Sequence, residues 1–124
     1  MIQTTNEFDW PFEISGFGGG YEQACRDMAK AGVIWLREHP GELEKWRKAR
    51  DEFHKEFGEN RHFPQSMMST SEKDFQNAIV KVCDDCTCAM FGAAKSHAIA
   101  IFELGWDNYC AKVIGARTAR GEEK

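Results

Sequence analysis

Residues 21–40 read YEQACRDMAKAGVIWLREHP, and this stretch decides the fold class. Its apolar residues recur at steps of three and four, which places them on one face of an α-helix. His39, Pro40 and Gly41 end the pattern, because a proline disfavours helical geometry in the residue before it. We therefore predict a helix from about Gly20 to Glu38. Its apolar stripe consists of Tyr21, Ala24, Cys25, Met28, Gly32, Trp35 and Leu36.

The same periodicity continues along the chain. A second helix is predicted over about Glu42–Phe57, and its apolar face carries Leu43, Trp46, Ala49, Phe53 and Phe57. Ser69 followed by Glu72 is a capping-box pattern and predicts a helix start. Apolar steps then run from Phe75 to Leu104, so we expect one continuous helix, with two helices broken around Asp84–Thr87 as the alternative. Gly105 ends this segment. A last helix carries Trp106, Tyr109, Cys110, Val113 and Ile114.

These segments predict an all-α fold, a compact bundle of four to five helices in a single domain spanning residues 1–124. Residues 1–19 contain aromatic residues and glycines without helical periodicity, and they are expected to form an irregular arm. Residues 118–124 are polar and are expected to fray. Hydrophobic residues make up 42% of the chain and charged residues 29%. This balance is typical of globular proteins, and it excludes a disordered, coiled-coil or collagen-like chain.

The sequence also indicates where in the cell the protein is located and which classes of partner it does not bind. Its first seven residues lack a basic segment followed by an apolar stretch, so a secretory signal is not expected. The longest apolar stretch, residues 89–104, contains Lys95 and Glu103 and is shorter than the ~20 residues of a membrane span. With an odd number of cysteines, five, we expect reduced thiols in a cytoplasm. The net charge of −4 argues against direct binding of nucleic acid.

A cysteine cluster is the most metal-like feature of the sequence. Cys83 and Cys86 have the spacing of a zinc-binding pair. The candidates for further ligands are Cys88, His97, Cys110 and Cys25. A second pair at similar spacing is missing. The favoured interpretation is that Cys83 and Cys86 are small apolar residues on the core stripe, where free cysteines are common. A zinc-binding module is the alternative, and no cofactor is expected.

A glycine-rich turn precedes the first helix. Gly18, Gly19 and Gly20 could present backbone N–H groups and a helix N-terminus to an anion. The segment matches neither the dinucleotide-binding pattern nor the P-loop, because Tyr21 stands where the former needs glycine and no Lys-Ser/Thr pair follows. We favour a flexible hinge that lets the arm fold back. Binding of a small anionic ligand at Gly16–Gly20 is the alternative.

The aromatic residues outside the helices favour a binding function. Aromatic side chains flanked by acids suit an anchor that enters a partner's pocket. The competing interpretation, slightly favoured, is that the arm packs on its own bundle. The histidines are widely spaced and no serine lies in a nucleophile elbow, so enzymatic activity is not expected. The candidate partner-binding residues are Glu7, Phe8, Asp9, Trp10, Phe17 and Phe63.

Two runs, GFGGGYEQAC at residues 16–25 and GVIWL at residues 32–36, resemble small accessory proteins encoded by bacteriophages and prophages. The resemblance covers about the first 40 residues, and it transfers no functional residue. It implies a cytoplasmic inhibitor of a host protein or ribonucleoprotein complex, such as a CRISPR effector. The implied mechanism is stoichiometric, in that acidic side chains occupy a basic nucleic-acid channel or cover a contact between subunits. The oligomeric state is left open.

Overall fold

A computed structural model of the chain describes residues 6–16, 20–83 and 88–119, and five α-helices lie within them. The helices are α1 (Tyr21–Glu38), α2 (Glu42–Phe57), α3 (Thr70–Val80), α4 (Cys88–Leu104) and α5 (Trp106–Ala119), and a 3-10 turn (Gln65–Met67) precedes α3. No strand occurs in these ranges, and residues 6–16 form turns and irregular backbone. The predicted all-α bundle of four to five helices is confirmed.

Most helix ends follow local chemistry. Ser69 Oγ accepts a hydrogen bond from the backbone N–H of Glu72 at 3.1 Å, so the predicted capping box starts α3. At the end of α1 the N–H of His39 donates to the carbonyl groups of Trp35 and Leu36. Gly105 separates α4 from α5 with φ of 82°, a left-handed conformation that a residue with a Cβ atom rarely adopts. The predicted bounds of α1 and α2 are confirmed.

Helix α1 lies at the centre of the bundle, because it packs on both α3 and α4, while α2 packs on α3 and α5 packs on α4. Each large apolar side chain that is fully buried contributes about 1.5–3 kcal/mol. The arm contributes Trp10 and Ile14 to the same buried cluster. The cluster also contains Cys25, Met28, Val33, Leu36, Phe75, Ile79, Met90, Ile101 and Tyr109.

The expectation of one continuous helix through residues 75–104 is wrong. α3 ends at Val80, the N–H groups of Val82 and Cys83 donate to carbonyl groups only three residues back, and α4 begins at Cys88. An unbroken helix from Thr70 to Leu104 would be about 50 Å long, whereas α1 is about 27 Å long. Both segments can pack on α1 only if the chain turns between them.

The ends of the apolar stripes also differ from the prediction. The apolar stripes predict Tyr21 and Phe57 on core faces, yet 54% and 48% of their surfaces are exposed. Each lies at or beside the end of its helix. The frayed tail was expected from residue 118, but Thr118 is helical and its hydroxyl donates to the carbonyl of Ile114 at 2.9 Å; residues 120–124 lie outside the described ranges. None of the described helices has the length and apolar character of a transmembrane segment.

Candidate functional site

The N-terminal arm is bound to the helices by its backbone. The Glu22 carboxylate on α1 accepts hydrogen bonds from the N–H groups of Ile14 (3.0 Å) and Ser15 (2.9 Å). Arg26 bridges Glu22 and the carbonyl of Phe12. Burial opposes the ionisation of Glu22, but the hydrogen bonds from Ser15, Arg26 and Ile14 outweigh it, so the pKa is lowered. The described part of the arm, residues 6–16, is therefore an integral part of the bundle.

Trp10 fixes the arm in the core. Its side chain is 6% exposed, and its indole N–H donates to the Tyr109 hydroxyl at 3.0 Å. The rings of Phe8 and Trp106 pack against it, with centroids at 5.9 and 5.2 Å. In the structure the ring fills a pocket of its own chain, which agrees with the favoured interpretation that the arm packs on its own bundle. Contact of Trp10 with a partner stays a prediction. Phe8 is partly buried by the same cluster.

The acidic residues of the arm differ in their surroundings. Glu7 forms a two-point ion pair with Arg37, with distances of 2.7 and 2.5 Å. The hydrogen bond from Arg37 lowers the pKa of Glu7. Asp9 is exposed, and Phe17 lies outside the described residues. Both acidic residues predicted for partner contact are therefore exposed, and Glu7 is already paired with Arg37.

Phe63 lies at a different place, against the C-terminal half of α2. Its ring contacts Phe53, with centroids 5.5 Å apart, and the Arg50 guanidinium lies 4.5 Å from its centroid. The predicted partner-binding residues are therefore divided between two surfaces. One is the arm on α1 and α5, and the other is the loop on α2.

The C-terminal half of α2 carries apolar residues that the bundle leaves uncovered. Phe53 is buried, whereas Phe57 is 48% exposed and Met67, in the following loop, is 52% exposed. Phe63 and Met67 border a cavity of about 100 Å³ together with Ala49, which is also exposed. We call Ala49, Phe53, Phe57, Phe63 and Met67 the distal α2 surface. The periodicity of α2 predicts Phe57 on the core face, and no sequence pattern singles out Met67.

A buried ion network lies beside this surface. Glu72 is 2% exposed and receives two hydrogen bonds from the guanidinium of Arg50, at 2.8 and 2.7 Å. The ammonium group of Lys95 lies 3.8 Å away, and burial lowers its pKa while Glu72 acts in the opposite direction. The three residues connect α2, α3 and α4. The sequence indicated Glu72 only as part of the capping box.

A second buried polar group joins α4, α5 and the arm. The Tyr109 hydroxyl lies 2.6 Å from Nδ1 of His97, and it accepts the indole N–H of Trp10. Burial raises the pKa of Tyr109 far above its ordinary value. Burial and the nearby guanidinium of Arg117 lower the pKa of His97. Both groups are therefore uncharged at neutral pH, and His97 borders a groove between α4 and α5.

The candidate metal ligands are not brought together in the part of the chain that the structure describes. No group of three or more His, Cys, Asp or Glu side chains there could hold a metal ion. Cys83 is partly buried, and Nδ1 of His97 is already bonded to Tyr109. Cys86 and the side chain of Cys88 lie outside the described residues. A zinc site at these cysteines stays a prediction.

The thiols of Cys25 and Cys110 have little reactivity at neutral pH. Cys25 is fully buried, and burial raises its pKa to about 11, so the thiol is protonated at neutral pH. Burial also raises the pKa of Cys110. Gly20 is the N-cap of α1, whereas Gly18 and Gly19 lie outside the described ranges. Anion binding at the glycine turn stays a prediction.

Comparisons of the chain with protein-family models, curated proteins and solved structures find no match.

Two surfaces have a geometry suited to binding. The distal α2 surface presents aromatic and methionine side chains to solvent and suits a protein contact. The groove between α4 and α5 is concave and suits a small molecule.

Proposed function

We propose that this chain is a non-enzymatic interaction protein that binds a partner protein through the distal α2 surface. The observation that carries the proposal is that Phe57 and Met67 are half-exposed. Met67 borders the same cavity as Phe63, and the rings of Phe57 and Phe63 both pack on Phe53. Aromatic residues, methionine and arginine are enriched in the cores of protein interfaces. Phe63 is held in place by Phe53 and Arg50, so a partner would meet a surface that is already ordered.

The surroundings of this surface favour a protein partner. Asp51, His54, Lys55 and Glu59 border a shallow cavity at the same end of α2, and their charges are of both signs. A mixed polar rim around an apolar centre is the usual arrangement of a protein interface. A single-sign basic field, which nucleic acid would require, is not supplied by these four residues.

The identity of the partner rests on the resemblance of residues 16–25 and 32–36 to small phage-encoded proteins. It suggests a bacterial protein or ribonucleoprotein complex in the cytoplasm of the host, such as a CRISPR effector, that this chain inhibits. The exposed side chain of Asp9 and the net charge of −4 are compatible with a basic surface on that partner. The interaction would be stoichiometric.

The protein contact is tested by affinity capture from a bacterial lysate with three forms of the tagged chain. Phe57→Ala removes the most exposed aromatic ring of the surface. Ile34→Ala is the matched control, because Ile34 is 42% exposed on α1. We expect specific proteins to be retained by the wild type and by Ile34→Ala. Their recovery on Phe57→Ala should fall by about tenfold or more, as for a residue central to an interface.

Equal recovery on all three forms would place the contact elsewhere on the molecule and overturn the proposal. Sedimentation of the wild-type chain over a range of concentrations separates a foreign partner from a second copy of this chain. For the inhibitor proposal, the purified chain is added to a reconstituted CRISPR effector with its guide and target. Inhibition should be complete near one equivalent, and unchanged cleavage at a tenfold excess would contradict it.

A further inference from the structure

The groove between α4 and α5 has the size and lining of a small-molecule site. It encloses about 350 Å³, at the lower end of the ~300–1,000 Å³ range of ligand sites. Ala100 and Leu104 of α4 form one apolar wall, and Val113 and Ala116 of α5 form the other. These walls can cover a short hydrocarbon chain or a single ring.

The charge of the groove is opposite to that of the whole chain. Lys112 and Arg117 border it, and none of the described residues that line it is acidic, although the chain carries a net charge of −4. The Arg117 guanidinium donates to the carbonyl of Glu13 at 2.6 Å and lies 5.1 Å from the ring centroid of Phe12. The arm thus fixes this cation before a ligand arrives, which reduces the entropy lost on binding.

His97 adds a neutral hydrogen-bond donor. The Tyr109 oxygen accepts the N–H of Trp10 and lies 2.6 Å from Nδ1 of His97. We assign the hydrogen of this contact to the tyrosine, because Tyr109 is buried and Nδ1 is the acceptor within reach of its hydroxyl among the described residues. In a neutral imidazole whose Nδ1 accepts, the hydrogen lies on Nε2. Within the described residues this Nε2 has no hydrogen-bond partner, and His97 borders the groove. The Nε2–H group is therefore available to an acceptor on a ligand.

We propose that this groove binds a small amphipathic carboxylate. The carboxylate contacts Arg117, Lys112 and the Nε2–H of His97, and the hydrocarbon part lies between the apolar walls. A guanidinium and an imidazole N–H are donors without acceptor capacity, and they bond most strongly to an ionised acceptor. The site is separate from the distal α2 surface and does not depend on the function proposed for it.

The ligand class is tested by calorimetric titration of the full chain with octanoate. Octanol and octylamine have the same chain length but a neutral or cationic head, and octyl phosphate has a different anionic head. We expect octanoate to bind one-to-one and octanol at least about tenfold more weakly, because the charge-assisted hydrogen bonds are lost. Octylamine should not bind. Equal binding of octanol, or tighter binding of octyl phosphate, would overturn the carboxylate assignment.

The position of the site is tested by variants on α5. Ala116→Trp fills the groove without removing a charge, whereas Ile114→Ala changes a residue of the same helix that does not border it. We expect at least a tenfold loss of octanoate affinity in Ala116→Trp and none in Ile114→Ala. Lys112→Gln should weaken binding and reduce its salt dependence. Unchanged binding by Ala116→Trp would overturn the site, and Val113→Phe repeats the test if Ala116→Trp does not fold.

Discussion

At the scale of single residues, Glu22 determines where the arm lies. Its carboxylate accepts the N–H groups of Ile14 and Ser15 and the Nε–H of Arg26, the last at 2.6 Å. Ile14 and Ser15 are both buried, so bulk water cannot replace the Glu22 carboxylate as the acceptor of their N–H groups. A buried N–H group without an acceptor is costly. The arm is thus stabilised by one side chain seven and eight residues further along the chain.

We predict that Glu22→Gln destabilises the protein by about 1.5–3 kcal/mol, the usual contribution of hydrogen bonds to a charged group. The amide retains one oxygen but turns an NH₂ group towards donors. The measurement is urea unfolding at neutral pH. Glu13→Gln is the control, because the Glu13 side chain is exposed, and its effect should stay within about 0.5 kcal/mol. Equal effects of the two substitutions would contradict the role of Glu22.

At the scale of helices, Gly32 sets how closely α1 approaches its neighbours. A Cβ atom at this position would lie 2.8 Å from Cβ of Ala98 on α4 and 3.2 Å from Cδ1 of Ile79 on α3. The Ala98 methyl group is fixed to its own backbone and cannot rotate away. The close packing of three helices at this point therefore requires glycine.

We predict opposite effects for two Gly→Ala substitutions. Alanine is about 0.8–1 kcal/mol more favourable than glycine in a helix interior, and Gly92 on α4 has nothing within 4 Å of an added Cβ. Gly92→Ala should therefore stabilise the fold by up to that amount. Gly32→Ala should destabilise it, because overpacking costs about 1–3 kcal/mol. Denaturant unfolding measures both, and Ala98→Gly should partly rescue Gly32→Ala. Stabilisation by Gly32→Ala would show that the helices can separate without loss.

The helices show which structural features a sequence can reveal. The starts of α1, α2 and α3 depend on periodicity and on local signals such as Ser69 with Glu72, and these were predicted. The sequence indicates the break between α3 and α4 only as the alternative to one continuous helix, because the apolar pattern continues across it and only packing on α1 requires the break. The exposure of Phe57 depends on how far along α2 the neighbouring helices and loops extend. The burial of Trp10 depends on Tyr109, 99 residues away, and no local pattern carries that information.

At the scale of the whole molecule, ion pairs connect elements that are distant in the chain. Glu7 pairs with Arg37, and Arg47 on α2 pairs with Glu103 on α4. The hydrogen bond from Arg47 lowers the pKa of Glu103, as that from Arg37 lowers the pKa of Glu7. A carboxylate whose pKa is lowered in the folded protein stabilises the fold at pH values above its ordinary pKa of 4.5. This stabilisation is lost as the pH falls below that value.

His97 gives the molecule a second and separate pH dependence. Burial and the charge of Arg117 lower its pKa from 6.5, and Glu22 opposes the shift. Its folded pKa thus lies below its unfolded value, so the unfolded chain takes up the proton first as the pH falls. The stability that the fold gains from neutral His97 is fully present above pH 6.5 and is lost progressively below it. Protonation at Nδ1 would also remove the acceptor of the Tyr109 hydroxyl.

We therefore predict that the wild-type chain loses stability in two steps, one below about pH 6.5 and one below about pH 4.5. His97→Gln should abolish only the first step, because glutamine does not titrate and its carbonyl oxygen can still accept the hydrogen of Tyr109. Urea midpoints measured at about pH 7.5, 5.5 and 4 test this. Glu7→Gln serves as the reciprocal control, since it should reduce the second step and leave the first. If His97→Gln keeps the loss between pH 7.5 and 5.5, another group takes up that proton, and a lowered pKa of His97 in the folded protein is excluded.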